Sequence, residues 1–156
     1  MQAADNLVKE FCQSIGMSPL GLDEENQRSL SFDEKIIVSF IGEKDDQLTA
    51  LCYIGDLTKE ADMRTFLEKN FMPDAHGGAR FSLEPKSDRI VMATKWNAQR
   101  IDVAAFSKDL EGFVNSAMRA QEFLNQGGIS TAPAAANEAG AAPASETSLA
   151  AYQNML

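Results

Sequence analysis

The side chains that could take part in catalysis or metal binding are few in this sequence. The chain contains one histidine, His76, and two cysteines, Cys12 and Cys52. Both cysteines fall within apolar runs, where a cysteine usually packs as a small buried hydrophobe. His76 precedes Gly77 and Gly78, but this glycine pair lacks the following lysine and Ser/Thr of a phosphate-binding loop. We therefore predict buried, unreactive cysteines and no bound cofactor.

Two acidic clusters, at residues 23–25 and 43–46, could supply carboxylate ligands or an acid–base pair. Neither cluster has the spacing of a calcium-binding loop, and such runs are typical of solvated turns. The short signatures of zinc proteases, nucleotide-binding loops and serine hydrolases are also missing from the sequence. We expect no catalytic, cofactor-binding or metal-binding residue, and we keep a small enzyme that uses carboxylates or His76 as an alternative.

Charge and hydropathy restrict the classes of partner. The 156 residues include 14 basic and 23 acidic side chains, which gives a formal net charge of -9. Nucleic acid or an anionic membrane would be repelled by most of such a surface. No stretch approaches the roughly twenty apolar residues that cross a bilayer, and the N-terminus lacks a basic region followed by an apolar core. We expect a cytoplasmic protein that binds neither nucleic acid nor membrane.

Apolar periodicity predicts the secondary structure that must position any site. A period of two indicates strands, and a period between three and four indicates amphipathic helices. In chain order, the predicted elements are a helix at 5–16, strands at 29–32, 35–41 and 48–54, a helix from 58 to 73, strands at 79–84 and 89–96, and a helix from 102 to 127. The order α-β-β-β-α-β-β-α predicts an α+β fold with a largely antiparallel twisted sheet packed by helices.

Polar residues at the predicted helix starts suggest their N-caps. We predict that Asp5 or Asn6 caps the first helix, Thr58 the second and Asp102 the third, because short polar side chains can accept hydrogen bonds from free backbone N–H groups. Gly16 is predicted to end the first helix, since glycine adopts the left-handed conformation of a C-cap.

The composition changes abruptly at Gly127. Residues 127–156 are dominated by Ala, Pro, Ser, Thr, Gly and Asn, and their only charged side chains are Glu138 and Glu146. Such a segment contains too little large apolar surface to offset the entropy lost on ordering. We predict one domain over residues 1–126 and a disordered tail, in which residues 149–156 could form a helical turn or two, as a frayed terminus or a docking peptide.

Large apolar residues are abundant in the part of the chain predicted to be ordered. The sequence contains nine Phe and seven Met. An exposed apolar patch on a soluble protein usually marks an interaction site, and methionine suits surfaces that adapt to varied partners. This surplus favours a binding protein.

An ordered series of short motifs spans roughly residues 5–125. The first half of the series consists of an N-terminal amphipathic helix, then the motif Leu30-Ser-Phe32-Asp33, a strand at 36–41 and a strand ending in Tyr53-Ile-Gly55. The second half consists of a helix at 64–70, the pair Gly77-Gly78, Phe81 with Leu83, a hairpin into Ile90-Val-Met92, and a closing helix at 106–124. The ordered set resembles the class I type III secretion chaperones, the Tir-chaperone family. The alanine-rich tail lies outside this resemblance.

The resemblance implies a homodimeric, non-enzymatic bacterial chaperone. It implies that the dimer binds the N-terminal segment of a secreted effector in extended form and keeps the effector soluble and secretion-competent. The implied partners are a second copy of the chain, the effector's chaperone-binding segment and, as a further partner, the secretion ATPase.

Carried over by position, the resemblance also implies two sets of contact residues. The middle helix would supply the dimer interface through Met63, Phe66, Leu67 and Phe71. The outer surfaces of the first helix and the sheet would supply apolar effector pockets, for which the candidates are Leu7, Phe11, Leu30, Phe32, Ile37, Phe40 and Ile41. Each of these residues could instead pack in the core.

The same scaffold would also suit a chaperone-like regulatory module. Such a module would sequester a transcriptional regulator or its antagonist in place of an effector. The identity of the bound partner distinguishes this alternative from a secretion chaperone.

Overall fold

The computed structural model of the chain describes residues 2–72 and 78–128. The helices and strands are α1 (Gln2–Ser14), β1 (Gln27–Phe32), β2 (Ile36–Gly42), β3 (Gln47–Asp56), α2 (Glu60–Lys69), β4 (Arg80–Leu83), β5 (Arg89–Asn97) and α3 (Val103–Asn125). The predicted α+β fold and element order are confirmed. His76, Pro73 and the tail from residue 129 lie outside the described residues, so the predicted disorder and the boundary at residue 127 stay predictions.

The strands form one antiparallel sheet in the order β1-β2-β3-β5-β4. The first three strands form the expected meander, and β5 then pairs with β3 on the other side. This arrangement makes β1 and β4 the two edge strands. A register shift between Tyr53 and Gly55 marks an irregularity in the pairing of β3 with β5.

Side chains of a strand alternate between the two faces of a sheet, and here one face is buried. On β2, Ile36, Val38 and Phe40 are fully buried, whereas Ile37 is exposed. All three helices add buried side chains to the same core. The aromatic ring of Phe106 on α3 lies at its centre, with ring centroids 5.5 Å from Phe11, 6.1 Å from Phe40 and 5.0 Å from Trp96.

The helix ends match the predicted caps only in part. The Asp102 carboxylate accepts a hydrogen bond from Ala105 N at 2.8 Å and caps α3 as predicted. The cap predicted at Asp5 or Asn6 is wrong, because α1 already begins at Gln2 and Asp5 accepts a hydrogen bond from the backbone of Leu22. The cap predicted at Thr58 is also wrong.

In the structure, Lys59 occupies the N-cap position of α2 and provides no side-chain cap. The helix then ends at Lys69, before Pro73. The side chain of the next residue, Asn70, forms a hydrogen bond with the backbone of Phe81 on β4. Gly16 follows α1 with a φ of 78°, and Met17 N donates to Cys12 O at 2.9 Å. The predicted glycine stop of α1 is therefore confirmed.

Both cysteines are buried and free, as predicted. Cys12 Sγ donates to Leu20 O at 3.5 Å. Burial raises the pKa of Cys52 to about 11. Because the thiolate is the reactive form of cysteine, this pKa keeps Cys52 in its unreactive thiol form at neutral pH.

We predict that Phe106→Ala lowers the free energy of unfolding by about 3–5 kcal/mol, because it leaves a cavity where Phe106 meets three other aromatic rings. Urea denaturation at a fixed protein concentration measures the loss. Phe106→Leu should lose less and keeps the test usable if the alanine variant does not fold. The control is Leu83→Ala at a side chain that is 40% exposed. Equal losses for Phe106→Ala and Leu83→Ala would contradict the packing described here.

Candidate functional site

The face of the sheet opposite the core carries an apolar surface. Among the described residues, the three helices contribute their buried side chains to the other face. The side chains of this surface, here called the open-face patch, are Ile37, Ile41, Leu51, Tyr53 and Val91. Ile37 is 61% and Tyr53 48% exposed. Adjacent exposed apolar side chains in a soluble protein mark a surface that binds a partner.

Strand register makes this patch continuous. Tyr53 on β3 pairs with Val91 on β5, and Leu51 lies between Ser39 on β2 and Ala93 on β5. Residues directly opposite each other on one sheet face have Cβ atoms roughly 5 Å apart. The patch therefore crosses the three central strands.

Polar groups surround the patch. The Arg89 guanidinium lies 5.7 Å from the centroid of the Tyr53 ring. At the other end of the face, Lys95 forms an ion pair with Glu43 at 2.6 Å, and Thr49 donates a hydrogen bond to the same carboxylate. These two hydrogen bonds, that from Lys95 first, hold the pKa of Glu43 below its usual range. An apolar centre with a polar rim is the common anatomy of a protein–protein interface.

The outer edge of β1 offers backbone hydrogen bonds beside the patch. Gln27 N and O bond outward to Asp23, whereas Asn26 O accepts from Gly42 N in the direction of β2. Outward and inward backbone groups alternate along an antiparallel edge strand. Ser29 and Ser31 therefore direct their N–H and C=O groups outward, as Gln27 does.

The opposite edge, at β4, is covered at Phe81 by the side chain of Asn70, the C-cap residue of α2. The Asn70 amide accepts from Phe81 N at 2.7 Å and donates to Phe81 O at 2.8 Å. Arg80 also donates to Asn70 O at 3.0 Å. Asn70 thus takes the place that a neighbouring strand would occupy on Phe81. The two edges of the sheet differ, and β1 is the edge suited to accept an added strand.

A second apolar surface lies at the C-terminal end of α2. It consists of Leu67, Phe71 and Met72, and we call it the α2 patch. Phe71 is 89% exposed, which is unusual for a side chain of this size. Of the predicted dimer residues, Leu67 and Phe71 belong to this patch. Phe66 instead packs in the core against Phe81 and Phe123, and Met63 is partly buried against the same core.

The structure also divides the seven residues predicted to line effector pockets. Four of them, Leu7, Phe11, Leu30 and Phe40, are buried in the core. Phe32 is half-buried, with its ring centroid 6.5 Å from that of Phe11 at the seam between α1 and β1. Ile37 and Ile41 lie on the open face. The accessible candidates are therefore Phe32, Ile37 and Ile41.

Sequence reasoning missed several exposed apolar residues. Tyr53 and Val91 belong to the open-face patch, and their signal was the run of large side chains on both faces of β3 and β5. Three others, Ile15, Met17 and Leu20, are each more than 40% exposed in the connector after α1. Met17 and Leu20 stand in a connector without periodicity, whereas Ile15 fell within the helix predicted at 5–16 and lies beyond the end of α1.

Two other kinds of site are absent from the described residues. Over residues 2–72 and 78–128, no group of three or more His, Cys, Asp or Glu side chains could hold a metal ion. In the same part of the chain, no helix is long and apolar enough to cross a membrane.

Comparison with known families assigns the chain. The model of the Tir chaperone protein (CesT) family matches residues 6–121, which is most of the chain. The chain belongs to the Tir chaperone family. The resemblance described above and the expected function as a type III secretion chaperone are thereby confirmed. The family is a non-enzymatic class of chaperone. No sequence among curated proteins matches the chain.

Solved structures with the same fold include complexes of secretion proteins. The ExsC–ExsE complex has a TM-score of 0.67 at 21% identity, with 79% of this chain and 94% of that chain covered. The Yersinia pestis type III secretion chaperone SycH, solved with a fragment of YscM2, scores 0.64 at 20% identity, covering 74% and 97%. The HopA1–SchA chaperone–effector complex scores 0.65 at 16% identity, covering 74% and 91%.

Lys69, at the end of α2, should make the free energy of unfolding of this Tir-family chaperone depend on pH. Lys69 is 6% exposed, and burial lowers its pKa to about 8. In the unfolded chain a lysine titrates near pH 10.4. Between these values the unfolded state binds more protons than the folded state, so the free energy of unfolding should gain a contribution that rises with pH.

We predict that Lys69→Met removes this rise, as measured by urea denaturation of wild type and variant from about pH 7 to about pH 10.5. The control is Lys108→Met, which changes an exposed lysine on α3 and should leave the pH profile unchanged. Parallel pH profiles for wild type and Lys69→Met would contradict the lowered pKa.

Proposed function

We propose that this chaperone binds the N-terminal segment of a secreted effector in extended form, as an added strand along β1, and keeps it soluble and secretion-competent. The observation that carries the proposal is the outer edge of β1 next to the open-face patch. The solved complexes of SycH with a YscM2 fragment and of SchA with HopA1 support a protein as the partner.

Backbone hydrogen bonds would provide the first part of the affinity. The outward N–H and C=O groups of Ser29 and Ser31 can pair with an extended peptide in the manner of a neighbouring strand. Because these bonds involve only backbone groups, they place little restriction on the sequence of the bound segment.

Side chains of the bound segment would provide the second part. Alternate side chains of an added strand point to opposite faces of the sheet. Those on the open face pass over the small Ser29 and Ser31 toward Ile37, while those on the other face reach Phe32. The buried residues Leu7, Phe11, Leu30 and Phe40 support these contacts from the core.

The energetics favour an apolar segment. Ordering an extended segment on binding costs on the order of 2–5 kcal/mol. Burial of a large apolar side chain returns about 1.5–3 kcal/mol. Two or three such side chains on Phe32, Ile37 and Ile41 would therefore offset the cost of ordering, and each would be removed from water before export.

A second copy of the chain is the proposed partner of the α2 patch. Leu67 lies in the last turn of α2, and Phe71 and Met72 directly follow its C-cap residue. A two-fold axis brings the same patch of both copies together, so that each Phe71 can pack against apolar side chains of the other copy. The predicted assembly is two chaperones for one effector segment. The bacterial cytoplasm as the place of action, and the secretion ATPase as a further partner, belong to the same proposal.

We predict that Ser31→Pro abolishes effector capture, because proline removes the outward N–H group of this edge position. A tagged chain is expressed in its native host, what copurifies is treated with protease, and protected peptides are identified by mass spectrometry. The native chain should protect an N-terminal stretch of one larger secreted protein. The matched control Ser31→Ala keeps the N–H group and should capture the same protein.

Two results would contradict this proposal. Equal capture by Ser31→Pro and Ser31→Ala, with native circular dichroism for both, would rule out strand addition at β1. Recovery of a DNA-binding regulator or its antagonist as the protected protein would favour the regulatory alternative.

We predict that the double variant Leu67→Asp/Phe71→Asp is a monomer, because charge at the centre of an apolar interface would be buried without a partner. Light scattering should give the mass of a dimer for the native chain and half that mass for the variant. The control Ile15→Asp/Leu20→Asp adds the same charge to the connector and should remain dimeric. A monomeric native chain at micromolar concentration would contradict the proposed assembly.

A further inference from the structure

The two most exposed residues of the open-face patch, Ile37 and Tyr53, lie at one end of the sheet together with the half-buried Val91. Ile37 stands at the start of β2, Tyr53 near the end of β3 and Val91 near the start of β5. Neighbouring strands are antiparallel, so these three positions are at the same end. Tyr53 and Val91 are direct cross-strand partners.

The last described helix ends at this same end of the sheet. Gln121 on α3 donates from Nε2 to Tyr53 O at 3.0 Å. Leu124 lies so close to Gly55 that a Cβ atom on Gly55 would be 2.8 Å from Leu124 Cδ1. The C-terminal end of α3 is therefore held against the part of β3 that carries Tyr53.

Hydrogen bonds fix where the chain leaves the described domain. Gly128 N donates to Phe123 O at 2.9 Å, and Lys59 Nζ donates to Gly127 O at 2.6 Å. The segment that follows thus starts at a defined place, a short distance beyond the hydrogen bond between Gln121 and Tyr53. It needs only to pass from the helical side of the sheet to the open side.

The length of the intervening sequence suits this distance. Residues 129–148 are twenty in number, and a random-coil linker of that length has a root-mean-square end-to-end distance of about 25 Å. The path from Gly128 past Tyr53 to the open face amounts to roughly 20 Å. The helical rise over the seven residues from Gln121 to Gly128 accounts for about 10 Å, and the thickness of one sheet layer for about another 10 Å. Effective concentration is highest when the linker length matches the span, and it then reaches the millimolar range.

The chemistry of residues 149–156 also suits the patch. The segment contains Leu149, Tyr152, Met155 and Leu156 and has no charged side chain. Only two of the chain's 23 acidic residues, Glu138 and Glu146, lie in 129–156, so the segment is weakly repelled by an acidic domain. Leu149, Tyr152 and Leu156 are spaced by three and four residues, which places side chains on one side of a helical turn.

We propose that residues 149–156 dock on the open-face patch of the same chain, at Ile37, Tyr53 and Val91. The docked segment covers apolar surface that is otherwise exposed to water. Where the proposed function holds, the segment also competes with an effector for this surface and is displaced when the effector binds.

Paramagnetic broadening in the full-length chain tests the docking without any effector. A nitroxide on Ser148→Cys should broaden the amide signals of Ile37, Tyr53 and Val91, and leave those of the α2 patch sharp. The native chain, treated with the same reagent, shows whether the buried Cys12 and Cys52 remain unlabelled. Adding Tyr152→Asp/Leu156→Asp to the labelled chain should abolish the broadening.

The matched control places the same two charges in the linker, as Ala134→Asp/Ala141→Asp, and should keep the broadening. Absence of broadening at the three patch residues, or broadening centred on Leu67 and Phe71, overturns the proposal. So does broadening that occurs only when a labelled chain is mixed with an isotope-labelled one, because the segment then docks on a second copy.

The outcome is separable from that of the proposed function. Broadening at the patch without capture of any secreted protein supports the docking and counts against effector binding. Capture that is lost in Ser31→Pro, without any broadening, overturns the docking alone. Where both hold, Tyr152→Asp/Leu156→Asp should raise effector affinity several-fold relative to the linker control.

Discussion

The structure depends on the fact that all three helices bury the same face of one sheet. A sheet of this size needs a cover on at least one face, and the ring of Phe106 shows how that cover is assembled. Phe106 on α3 meets Phe11 from α1, Phe40 from β2 and Trp96 from β5. Once this face is filled, the other keeps its apolar side chains in contact with water. The apolar open-face patch is thus a direct result of how the core is built.

The fold class and the order of the elements along the chain could be predicted because period-two alternation is visible in the sequence. The buried face could not, since β2 carries large apolar residues on both sides. Phe40 and Ile37 are both large hydrophobic residues, yet Phe40 is fully buried and Ile37 is 61% exposed. Which of the two side chains is buried depends on the face of the sheet that α1 and α3 cover. For the same reason, the predicted pocket residues included four that belong to the core.

Helix-level predictions show the same limit. The adjacent residues Phe66 and Leu67 both fit an apolar stripe, but Phe66 faces Phe81 and Phe123 while Leu67 faces solvent. Asp102 was correctly predicted as a cap because it directly precedes a long periodic segment. Asp5 has the same chemistry but accepts a hydrogen bond from Leu22, seventeen residues away in sequence. Such a long-range contact leaves no local pattern in the sequence.

The pair of hydrogen bonds between Asn70 and Phe81 affects how many molecules the sheet can join. A sheet with two open edges can grow without limit, since each added strand brings another edge, and this is how fibres form. Here the Asn70 side chain occupies the outward backbone groups of Phe81 on β4, so β1 is the more accessible edge. A sheet that adds strands on one side only cannot pass the growth on through its other edge. Asn70 thereby limits the number of molecules that could join through this acidic domain, wherever a strand is added at β1.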